Sequence, residues 1–477
     1  ALISACEKGG QWQRAMGLLA GAVREGLRPN AITYSAAISA CGRGQRWDLA
    51  LELLSEMRAQ DVPPTTVTYG AAISACERAQ HWEYAIGLLV EMLSAATRPD
   101  AVVYNAAMSA CEKAERWEAA IVLLGEMRQV AIEPSTTSYN AAISACEKCQ
   151  EWEWALELLR TAPSADVITY NAALSACEKG QQWPWALQLL HEMRGLALVP
   201  DVISYSAAIS ACEKGRHWRC AWLLLSQMRT DSMEPSVITY NALISACEKA
   251  QLWKLAVGCL QEMQDQQLEP DAISFNAVIS ACRACLKWEL AIDLVRTMRW
   301  LNIAPTVITY NAAMSACEQV QQWEQALELW RDMQEGQLRP SVVAFGVLVS
   351  ACERRQKWER ALNLVGLLVQ GGVELDVIVC NAAISACEKC ERWEWALVLL
   401  RELQDTGLEW DAVAGNAAIT ACGRGGQWRR ALAVLGEMGR CRLELGGVSW
   451  NAALGACGAS RQWAWAVELL AEMRLLA

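Results

Sequence analysis

The chain has 477 residues, with 42 Lys and Arg against 53 Asp and Glu, which gives a formal net charge of −11. This acidic balance argues at first against a nucleic-acid partner, because domains that bind nucleic acids are usually basic. Charged residues recur throughout the chain, so no stretch approaches the ~18 uninterrupted apolar residues of a membrane-spanning helix. We therefore expect a soluble protein with no membrane partner.

A repeat dominates the sequence. Ser-Ala-Cys-Glu, or a close variant, recurs at a step of 35 residues, and a Trp follows each Cys after six residues. Only the step from Cys146 to Cys177 is shorter, at 31 residues. Such a period is typical of stacked supersecondary units that cannot bury their apolar faces alone. We therefore predict an all-α solenoid of about 14 helical-hairpin repeats. The repeated cysteines are Cys6, Cys41, Cys76, Cys111, Cys146, Cys177, Cys212, Cys247, Cys282, Cys317, Cys352, Cys387, Cys422 and Cys457.

Residues 101–135 illustrate the elements predicted within one repeat. A first helix carries its apolar stripe at the spacing 0, 3, 4 and 7, and a short polar connection leads to a second helix. Pro134 stops that second helix, and Ser135 is suited to cap the first helix of the next repeat. The first stripe is Tyr104, Ala107, Met108 and Cys111, and the second is Trp117, Ala120, Ile121, Leu124 and Met127.

The predicted array occupies residues 1–477 as a single domain. It begins and ends within a repeat, so we expect a piece of a longer chain in which a targeting peptide or a further domain could lie beyond either end. Near Thr161 the fifth unit lacks about one helical turn, which could disturb its register. The predicted units are 1–30 (partial), 31–65, 66–100, 101–135, 136–166 (short), 167–201, 202–236, 237–271, 272–306, 307–341, 342–376, 377–411, 412–446 and 447–477 (partial).

The repeated Cys and Trp residues have structural interpretations. The cysteines are expected to be small buried residues in a reducing compartment, since neighbouring repeats hold them too far apart for disulfides. Three C-x-x-C pairs, which begin at Cys146, Cys282 and Cys387, lack nearby His partners, so no metal is predicted. Each Trp is expected to pack inside its hairpin, although stacking on bases is an alternative. The tryptophans are Trp12, Trp47, Trp82, Trp117, Trp152, Trp183, Trp218, Trp253, Trp288, Trp323, Trp358, Trp393, Trp428 and Trp463.

Three further segments carry a family resemblance. They are Val-Ile-Thr-Tyr-Asn at 237–241, Leu260 to Met263 at the end of a second helix, and Leu-Glu-Pro-Asp at 268–271. The chain resembles the pentatricopeptide repeat family of the pure 35-residue type over essentially its whole length. The resemblance implies a right-handed α-solenoid superhelix that binds single-stranded RNA at one base per repeat, read by two or three side chains.

By that resemblance, one reading residue lies six positions before each Cys and the second closes the repeat. The pairs are Ser35 with Thr65, Gly70 with Asp100, Asn105 with Ser135, Asn140 with Asp166, Asn171 with Asp201, Ser206 with Ser236, Asn241 with Asp271, Asn276 with Thr306, Asn311 with Ser341, Gly346 with Asp376, Asn381 with Asp411, and Asn416 with Gly446. The implied target, 5′ to 3′ along the chain, is purine-G-C-U-U-A-U-pyrimidine-C-G-U. Helix capping alone is the alternative role for the closing residues.

Two more rows belong to the implied RNA site. Apolar residues three positions before the reading residues are expected to wedge between bases, unless they are core residues of a helix start: Ile168, Ile203, Ile238, Ile273, Ile308 and Ile378. A row of cations two positions after the Cys residues is expected to contact phosphates with a strong salt dependence, unless it is a solvated row at the helix ends. It contains Lys8, Arg43, Arg78, Lys113, Lys148, Lys179, Lys214, Lys249, Arg354, Lys389 and Arg424. The neighbouring acids, such as Glu112 and Glu126, are expected on other faces.

No arrangement of residues suggests catalysis. The chain has three His residues, and neither a Ser/His/Asp set nor a phosphate-binding Gly-rich loop is evident. We predict no enzyme activity within these residues, no cofactor and a monomer. The resemblance implies a chloroplast or mitochondrial location and a role in RNA processing, stabilisation, translation or editing support. The alternative function is a scaffold that binds proteins on the concave solenoid surface.

Overall fold

The computed structural model describes residues 2–25, 27–95, 97–370, 376–405, 411–441 and 446–476. These ranges contain 28 α-helices and no β-strand, and the helices pair into 14 hairpins. The predicted all-α fold of helical-hairpin repeats is confirmed. Two compact units are present, Ala1–Ala246 and Cys247–Ala477, and each is described by itself.

Odd-numbered helices are the first helices of the hairpins, and even-numbered helices are the second. The first unit contains α1 Leu2–Lys8, α2 Trp12–Arg24, α3 Ala31–Arg43, α4 Trp47–Ala59, α5 Thr66–Arg78, α6 Trp82–Ser94, α7 Ala101–Lys113, α8 Trp117–Gln129, α9 Thr136–Lys148, α10 Trp152–Thr161, α11 Val167–Lys179, α12 Trp183–Gly195, α13 Val202–Lys214 and α14 Trp218–Thr230. Helix α15 is Val237–Lys249, and the boundary between the units falls within it. The second unit continues with α16 Trp253–Asp265, α17 Ala272–Ala284, α18 Trp288–Trp300, α19 Val307–Gln319, α20 Trp323–Glu335, α21 Val342–Arg354, α22 Trp358–Gln370, α23 Val377–Lys389, α24 Trp393–Asp405, α25 Ala412–Arg424, α26 Trp428–Arg440, α27 Gly447–Ala459 and α28 Trp463–Leu476.

Capping side chains fix where the first helices begin. The Oδ1 atom of Asp100 accepts a hydrogen bond from the backbone N–H of Val103 at 2.9 Å. Ser135, predicted to cap the next helix, is the N-cap of α9 and forms a reciprocal capping box with Ser138. Such caps satisfy backbone N–H groups that have no partner within the helix. The closing residue of one repeat therefore sets the start of the next repeat.

Short turns with one left-handed residue end the first helices. In the turn after α3, Gln45 has φ of 57°, and the N–H of Arg46 donates to the carbonyl of Cys41 at 3.0 Å. This 6→1 hydrogen bond closes the helix end and reverses the chain. The same φ recurs at the equivalent position after α5, where Gln80 has φ of 61°. The Trp two residues later then begins the second helix.

Within each unit the helices form two layers. Each first helix packs on the first helix of the next repeat, and each second helix packs on the first helices before and after it. Small residues permit the close first-helix contacts: Ala107, Ala110 and Cys111 of α7 are fully buried. The predicted stripe of α7 is confirmed, whereas that of α8 needs one correction. Leu123 is buried with Leu124, and Ile121 is only half-buried.

The tryptophans begin the second helices as predicted, but they are not enclosed in their own hairpins. Those in the first thirteen hairpins are half-buried, and Trp463 is exposed. Each lies at the edge of its hairpin, where the next repeat turns: the Arg46 guanidinium lies 5.1 Å from the ring centre of Trp12, and the His81 ring lies 4.2 Å from that of Trp47. An indole with one face on the next repeat and one edge in water stabilises repeat stacking without being a core residue.

All 21 cysteines are free thiols, and the repeated ones are buried except for the half-buried Cys6. The prediction that they serve as small apolar residues is confirmed by this burial. Burial raises the pKa of the Cys177 thiol to about 12 and that of Cys76 to about 11. Cys177 and Cys76 therefore stay protonated at neutral pH.

The short repeat differs in its second helix. Helix α10 has 10 residues, whereas its neighbours α8 and α12 have 13. The missing turn lies where the sequence predicts it, near Thr161. The first helices on either side, α9 and α11, still pack against each other, so the layer of first helices continues through this repeat.

Candidate nucleic-acid interface

The reading residues lie in the second turn of the first helices, and several of them contact the closing residue of their own repeat. The Nδ2 atom of Asn171 donates to both carboxylate oxygens of Asp201, at 3.1 Å each. Asn381 makes the same pair of bonds to Asp411, at 3.1 and 3.0 Å. The structure therefore brings together residues 30 positions apart that the sequence alone could only pair by resemblance.

Other reading pairs meet differently. Asn311 donates to the Oγ atom of Ser341 at 3.1 Å, whereas Asn105 donates to Thr137 at 3.0 Å instead of to Ser135. Gly70 and Gly346 offer no side chain, and Asn416 faces Gly446 at the closing position. Asn241 and Asp271 belong to different units. The direct contact between reading residues is thus a property of particular repeats.

The closing residues combine capping with this contact. Asp201 accepts from the backbone N–H of Ser204 at 2.8 Å while it also accepts from Asn171. Burial raises the pKa of the Asp166 carboxyl, but hydrogen bonds from Thr169 and from Asn140 outweigh burial and hold the pKa below its ordinary value. The carboxylate is therefore charged at neutral pH and orients the amide next to it. In some repeats the closing residue therefore both caps a first helix and hydrogen-bonds the reading residue.

A row of apolar side chains runs beside the reading residues, and it is exposed. We call it the apolar row; in each case the residue is the second one of a first helix and is 61–74 % exposed. The alternative that the predicted isoleucines are core residues is wrong. The sequence prediction also missed Ile32 and all the valines of the row. The row is Ile32, Val67, Val102, Ile168, Ile203, Ile238, Ile273, Ile308, Val343, Ile378, Val413 and Val448.

The cation row lies at the other end of the same helices, and most of its members have acidic partners. Lys113 forms an ion pair with Glu77 at 2.9 Å. In six other repeats the cation likewise pairs with the Glu that directly follows the Cys of the repeat before it. The expectation that the Glu112-type acids lie on other faces is wrong, since stacking places each beside the next cation. The other pairs are Lys148–Glu112, Lys179–Glu147, Lys214–Glu178, Arg354–Glu318, Lys389–Glu353 and Arg424–Glu388, at 2.9–3.5 Å.

The acids of this row are more deeply placed than the cations. In the seven pairs the Glu side chains are 15–26 % exposed and the cations are 34–46 % exposed. A serine one turn earlier on the cation's own helix also holds the acid: Ser109 donates to Glu77 at 2.9 Å. The cations of the row therefore face solvent, and the less exposed glutamates beneath them largely compensate their charge.

Arg43 and Arg78 depart from this pairing. Arg43 donates to the backbone carbonyl of Glu7 at 3.2 Å. Arg78 is exposed and has no ion pair within the described ranges, because Gly42 occupies the place of the usual Glu. These two cations of the first repeats therefore have no glutamate ion pair of the kind described above within the described ranges.

All three rows line one groove in those first repeats. Its volume is about 460 Å³, and its walls contain the reading residues Ser35 and Gly70 and the cations Arg43 and Arg78. The closing residue Asp100 is also part of the wall, together with the apolar residues Ile32, Val67 and Val102. One open groove thus combines base-edge donors and acceptors, apolar surface and positive charge.

Three family models match the chain. A model described as the PPR repeat family matches residues 99–148, 200–249, 235–284 and 305–354, and one described as a pentatricopeptide repeat domain matches 1–44, 17–78, 163–216 and 398–460. A third, described as a PPR repeat, matches 67–95, 137–163, 273–303, 378–408 and 448–476. The chain belongs to the pentatricopeptide repeat family. No curated protein matches it.

Solved structures of pentatricopeptide repeat proteins are similar to the chain. The crystal structure of the pentatricopeptide repeat protein PPR10 from maize has a TM-score of 0.56 and 21 % identity, over 99 % of this chain and 78 % of that one. PPR10 in complex with an 18-nt psaJ RNA element gives a TM-score of 0.48 at the same identity, over 98 % of this chain and 78 % of that one. The first similarity shows the shared solenoid fold of helical hairpins.

Two features of this pentatricopeptide repeat chain escaped the sequence prediction. One is the ion pairing of the cation row. The signal in the sequence is the Glu directly after the Cys of one repeat, which pairs with the cation of the next repeat. The other is the third residue of the first helix, which is a fully buried Thr or Ser in most repeats. A hydroxyl at a core position, recurring with the period, is the signal that would have found it.

The part of the chain that the structure describes contains no cluster of His, Cys, Asp or Glu able to hold a metal ion. Nor do those residues contain a helix long and apolar enough to cross a membrane. Cys149 and Cys285, which belong to C-x-x-C pairs, donate instead to carbonyls of the preceding repeat, Glu115 at 3.2 Å and Gln251 at 3.0 Å.

Proposed function

We propose that this pentatricopeptide repeat chain binds single-stranded RNA at one base per repeat, through the surface formed by its first helices. The observation that carries the proposal is the groove in the first repeats, whose walls contain members of the reading, apolar and cation rows. A single strand requires all three, because its bases expose hydrogen-bonding edges and faces while its backbone is charged.

Each row has a distinct task in this proposal. An exposed Ile or Val provides an apolar contact for a base face, and the adjacent reading residue meets the base edge. In this proposal the two oxygens of Asp201 share one Nδ2–H of Asn171, and the amide offers its other N–H to a pyrimidine oxygen. Cations about two helical turns farther along attract the phosphates.

The proposed target is purine-G-C-U-U-A-U-pyrimidine-C-G-U, with base 1 at Ser35 and base 11 at Asn381. The short repeat retains its place in this series, since the Oδ1 atom of Asn140 accepts from Thr169 at 2.6 Å, like reading residues in full-length repeats. Binding would act by occupancy, by masking the RNA, remodelling it or recruiting other factors.

We extend the proposal to transcripts of a chloroplast or mitochondrion, on the family resemblance alone. Imaging of the full-length protein with a fluorescent tag, beside markers of both organelles, tests this part. A cytosolic signal would overturn the location and leave the RNA-binding proposal standing.

A protein-binding scaffold is the second candidate function. Two observations favour it: the net charge is −11, and seven cations of the row are already paired with glutamates. Cations that are already paired with glutamates contribute less electrostatic free energy to RNA binding. A surface of paired charges can equally well bind a protein partner of mixed charge.

Binding of the purified chain to the predicted 11-nucleotide RNA tests the first candidate. A scrambled RNA of the same composition and the matching DNA serve as controls, over a salt series. Preference for the predicted RNA is the expected result. Failure to bind any RNA at low salt would overturn the proposal and favour the scaffold.

A further inference from the structure

The third residue of each first helix lies beneath the reading residue of the preceding repeat. The Oγ atom of Ser204 lies 2.5 Å from Oδ1 of Asn171, and that of Ser138 lies 2.6 Å from Oδ1 of Asn105. These hydroxyls are completely buried. The same contact joins Thr169 to Asn140, Thr309 to Asn276, Thr68 to Ser35, and Thr239 to Ser206, at 2.5–2.8 Å.

This contact bears on which atom of the amide faces the groove. An Asn side chain has one acceptor and two donors, and it can present either kind of atom after a rotation of 180°. A buried hydroxyl that donates to Oδ1 uses one of the two lone pairs of that oxygen and holds the oxygen toward the next repeat. A carboxylate that accepts from Nδ2 then leaves one N–H for a base. A flipped amide would face the carboxylate with its oxygen and would lose that bond, and the hydroxyl would have to accept from Nδ2 instead of donating to Oδ1.

We propose that the third residue of each repeat is a positioning residue for base recognition by the repeat before it. Where it carries a hydroxyl, it fixes the preceding Asn as a hydrogen-bond donor and thereby sharpens the preference for uracil. Uracil presents only carbonyl acceptors beside its single N–H, whereas cytosine also presents an amino group that needs an acceptor. This inference rests on the proposed function.

Two repeats with the same reading pair show the difference. Asn171 with Asp201 and Asn381 with Asp411 have matching amide–carboxylate distances of 3.0–3.1 Å. Beneath Asn171 lies Ser204, but beneath Asn381 lies Ala414, and the buried Oδ1 of Asn381 has no hydrogen-bond partner in the described residues. The orientation of Asn381 is held from one side only.

Repeats that read with glycine complete the pattern. The third residue is then Val: a Cβ added to Gly70 would lie 3.4 Å from a methyl of Val103, and one added to Gly346 would lie 3.7 Å from Val379. No side chain needs to be oriented there, and an apolar residue fills the position. A hydroxyl thus occurs under most polar reading residues, Asn311 and Asn381 have Ala344 and Ala414 at this position, and the two glycines have Val.

Exchange of the two third residues tests the proposal. Ser204→Ala removes the hydroxyl under Asn171, Ala414→Ser adds one under Asn381, and Ser204→Thr keeps a hydroxyl as in Thr169. Affinities are measured for RNAs that carry U or C at base 5 or at base 11. In the unaltered chain we expect the U-over-C ratio to be larger at base 5, by about fivefold, the factor typical of one hydrogen bond.

Ser204→Ala should lower the ratio at base 5 to that found at base 11, and Ser204→Thr should restore it. Ala414→Ser should raise the ratio at base 11, a gain that loss of stability cannot produce. If the U-over-C ratios are unchanged in both Ser204→Ala and Ala414→Ser, the inference is overturned, because Asp201 and Asp411 alone would then set the preference.

A measurement without RNA separates this inference from the proposed function. In protein labelled with ¹⁵N at the asparagine side chains, hydrogen exchange of the Asn171 amide should accelerate severalfold in Ser204→Ala and stay slow in Ser204→Thr. Equal exchange rates in all three proteins would overturn the positioning role. A chain that shows this acceleration but binds no RNA would refute the proposed function while the positioning of the amide stands.

Discussion

The two ends of each first helix present different chemistry to the same surface. At the beginning, the apolar row leaves exposed methyl groups, and the amides of reading residues such as Asn171 are held by a closing residue and a buried hydroxyl. At the end, most cations are already engaged by glutamates of the preceding repeat. For the proposed function this contrast favours selectivity over electrostatic affinity, because an ion-paired cation gains little from a phosphate that must displace its acid.

The largest expected effect comes from altering a closing residue at the reading end. Asp201→Ser should move the preference at base 5 from U to C, with about a tenfold change in the affinity ratio, since one charge-assisted hydrogen bond is replaced. Ser341 already accepts from Asn311 at 3.1 Å, so Ser is accommodated at this position. Competition binding with RNAs that differ only at base 5 measures the change.

The reciprocal variant, Ser341→Asp, is the matched control and should move base 9 from C to U. Since Asp and Ser both cap first helices here, melting temperatures should remain similar. A chain that keeps its U preference after Asp201→Ser would show that the closing residue acts only as a cap.

A smaller loss is expected when the apolar row is truncated. Ile168→Ala with Ile203→Ala should weaken RNA binding about fivefold, because each side chain would lose its contact with a base face. Both residues are more than half exposed, so the free energy of unfolding should change little. Val122→Ala provides the control, since Val122 is 60 % exposed but lies on a second helix. Equal losses in both proteins would contradict a specific role for the row.

Release of the paired cations should strengthen binding modestly. Changing Glu77, Glu112 and Glu147 to Gln frees three lysines, and the slope of log affinity against log salt should steepen by about 0.7 per freed cation that reaches a phosphate. The control changes the net charge equally by converting three acids in the first turns of second helices, Glu83, Glu118 and Glu153. Should both triple variants behave alike, net charge rather than the ladder would control affinity.

The smallest effect is a dependence on pH in the second unit. Burial raises the pKa of Glu318 and of Glu388 despite the opposing arginines. A raised pKa in the folded state means that these acids take up protons first as the pH falls, which releases Arg354 and Arg424. Affinity should therefore rise between pH 7 and about pH 5, and the rise should vanish in Glu318→Gln with Glu388→Gln. If the affinity still rises in that variant as the pH falls, titratable groups other than these two acids cause the rise.

The same pKa shifts make the free energy of unfolding depend on pH, in a direction that can be stated for each group. Because the folded-state pKa values of Glu318 and Glu388 lie above those of the unfolded chain, their contribution to stability is present at low pH and is lost as the pH rises through the folded values. Asp166 acts in the opposite sense, since its lowered pKa stabilises the fold above the unfolded value and is lost in acid.

The sequence by itself determined what depends on local patterns. The period, the alternation of helices, the Trp at each second-helix start and the capping role of Ser135 follow from helical spacing and from the hydrogen bonds that helix ends require. Burial of the repeated Cys follows from the same stripe. Recognition of the family then supplied the reading positions, which no spacing rule could provide.

Only the tertiary structure decided what depends on stacking. Lys113 and Glu77 lie 36 positions apart, and Ser204 and Asn171 lie 33 apart. Whether such residues touch depends on the rise and rotation between neighbouring hairpins, which the whole helix–helix packing sets. The next repeat also determines how much of each helix face is covered. The exposure of Ile168 and the half-burial of Trp183 could therefore not be predicted from their positions on a helix.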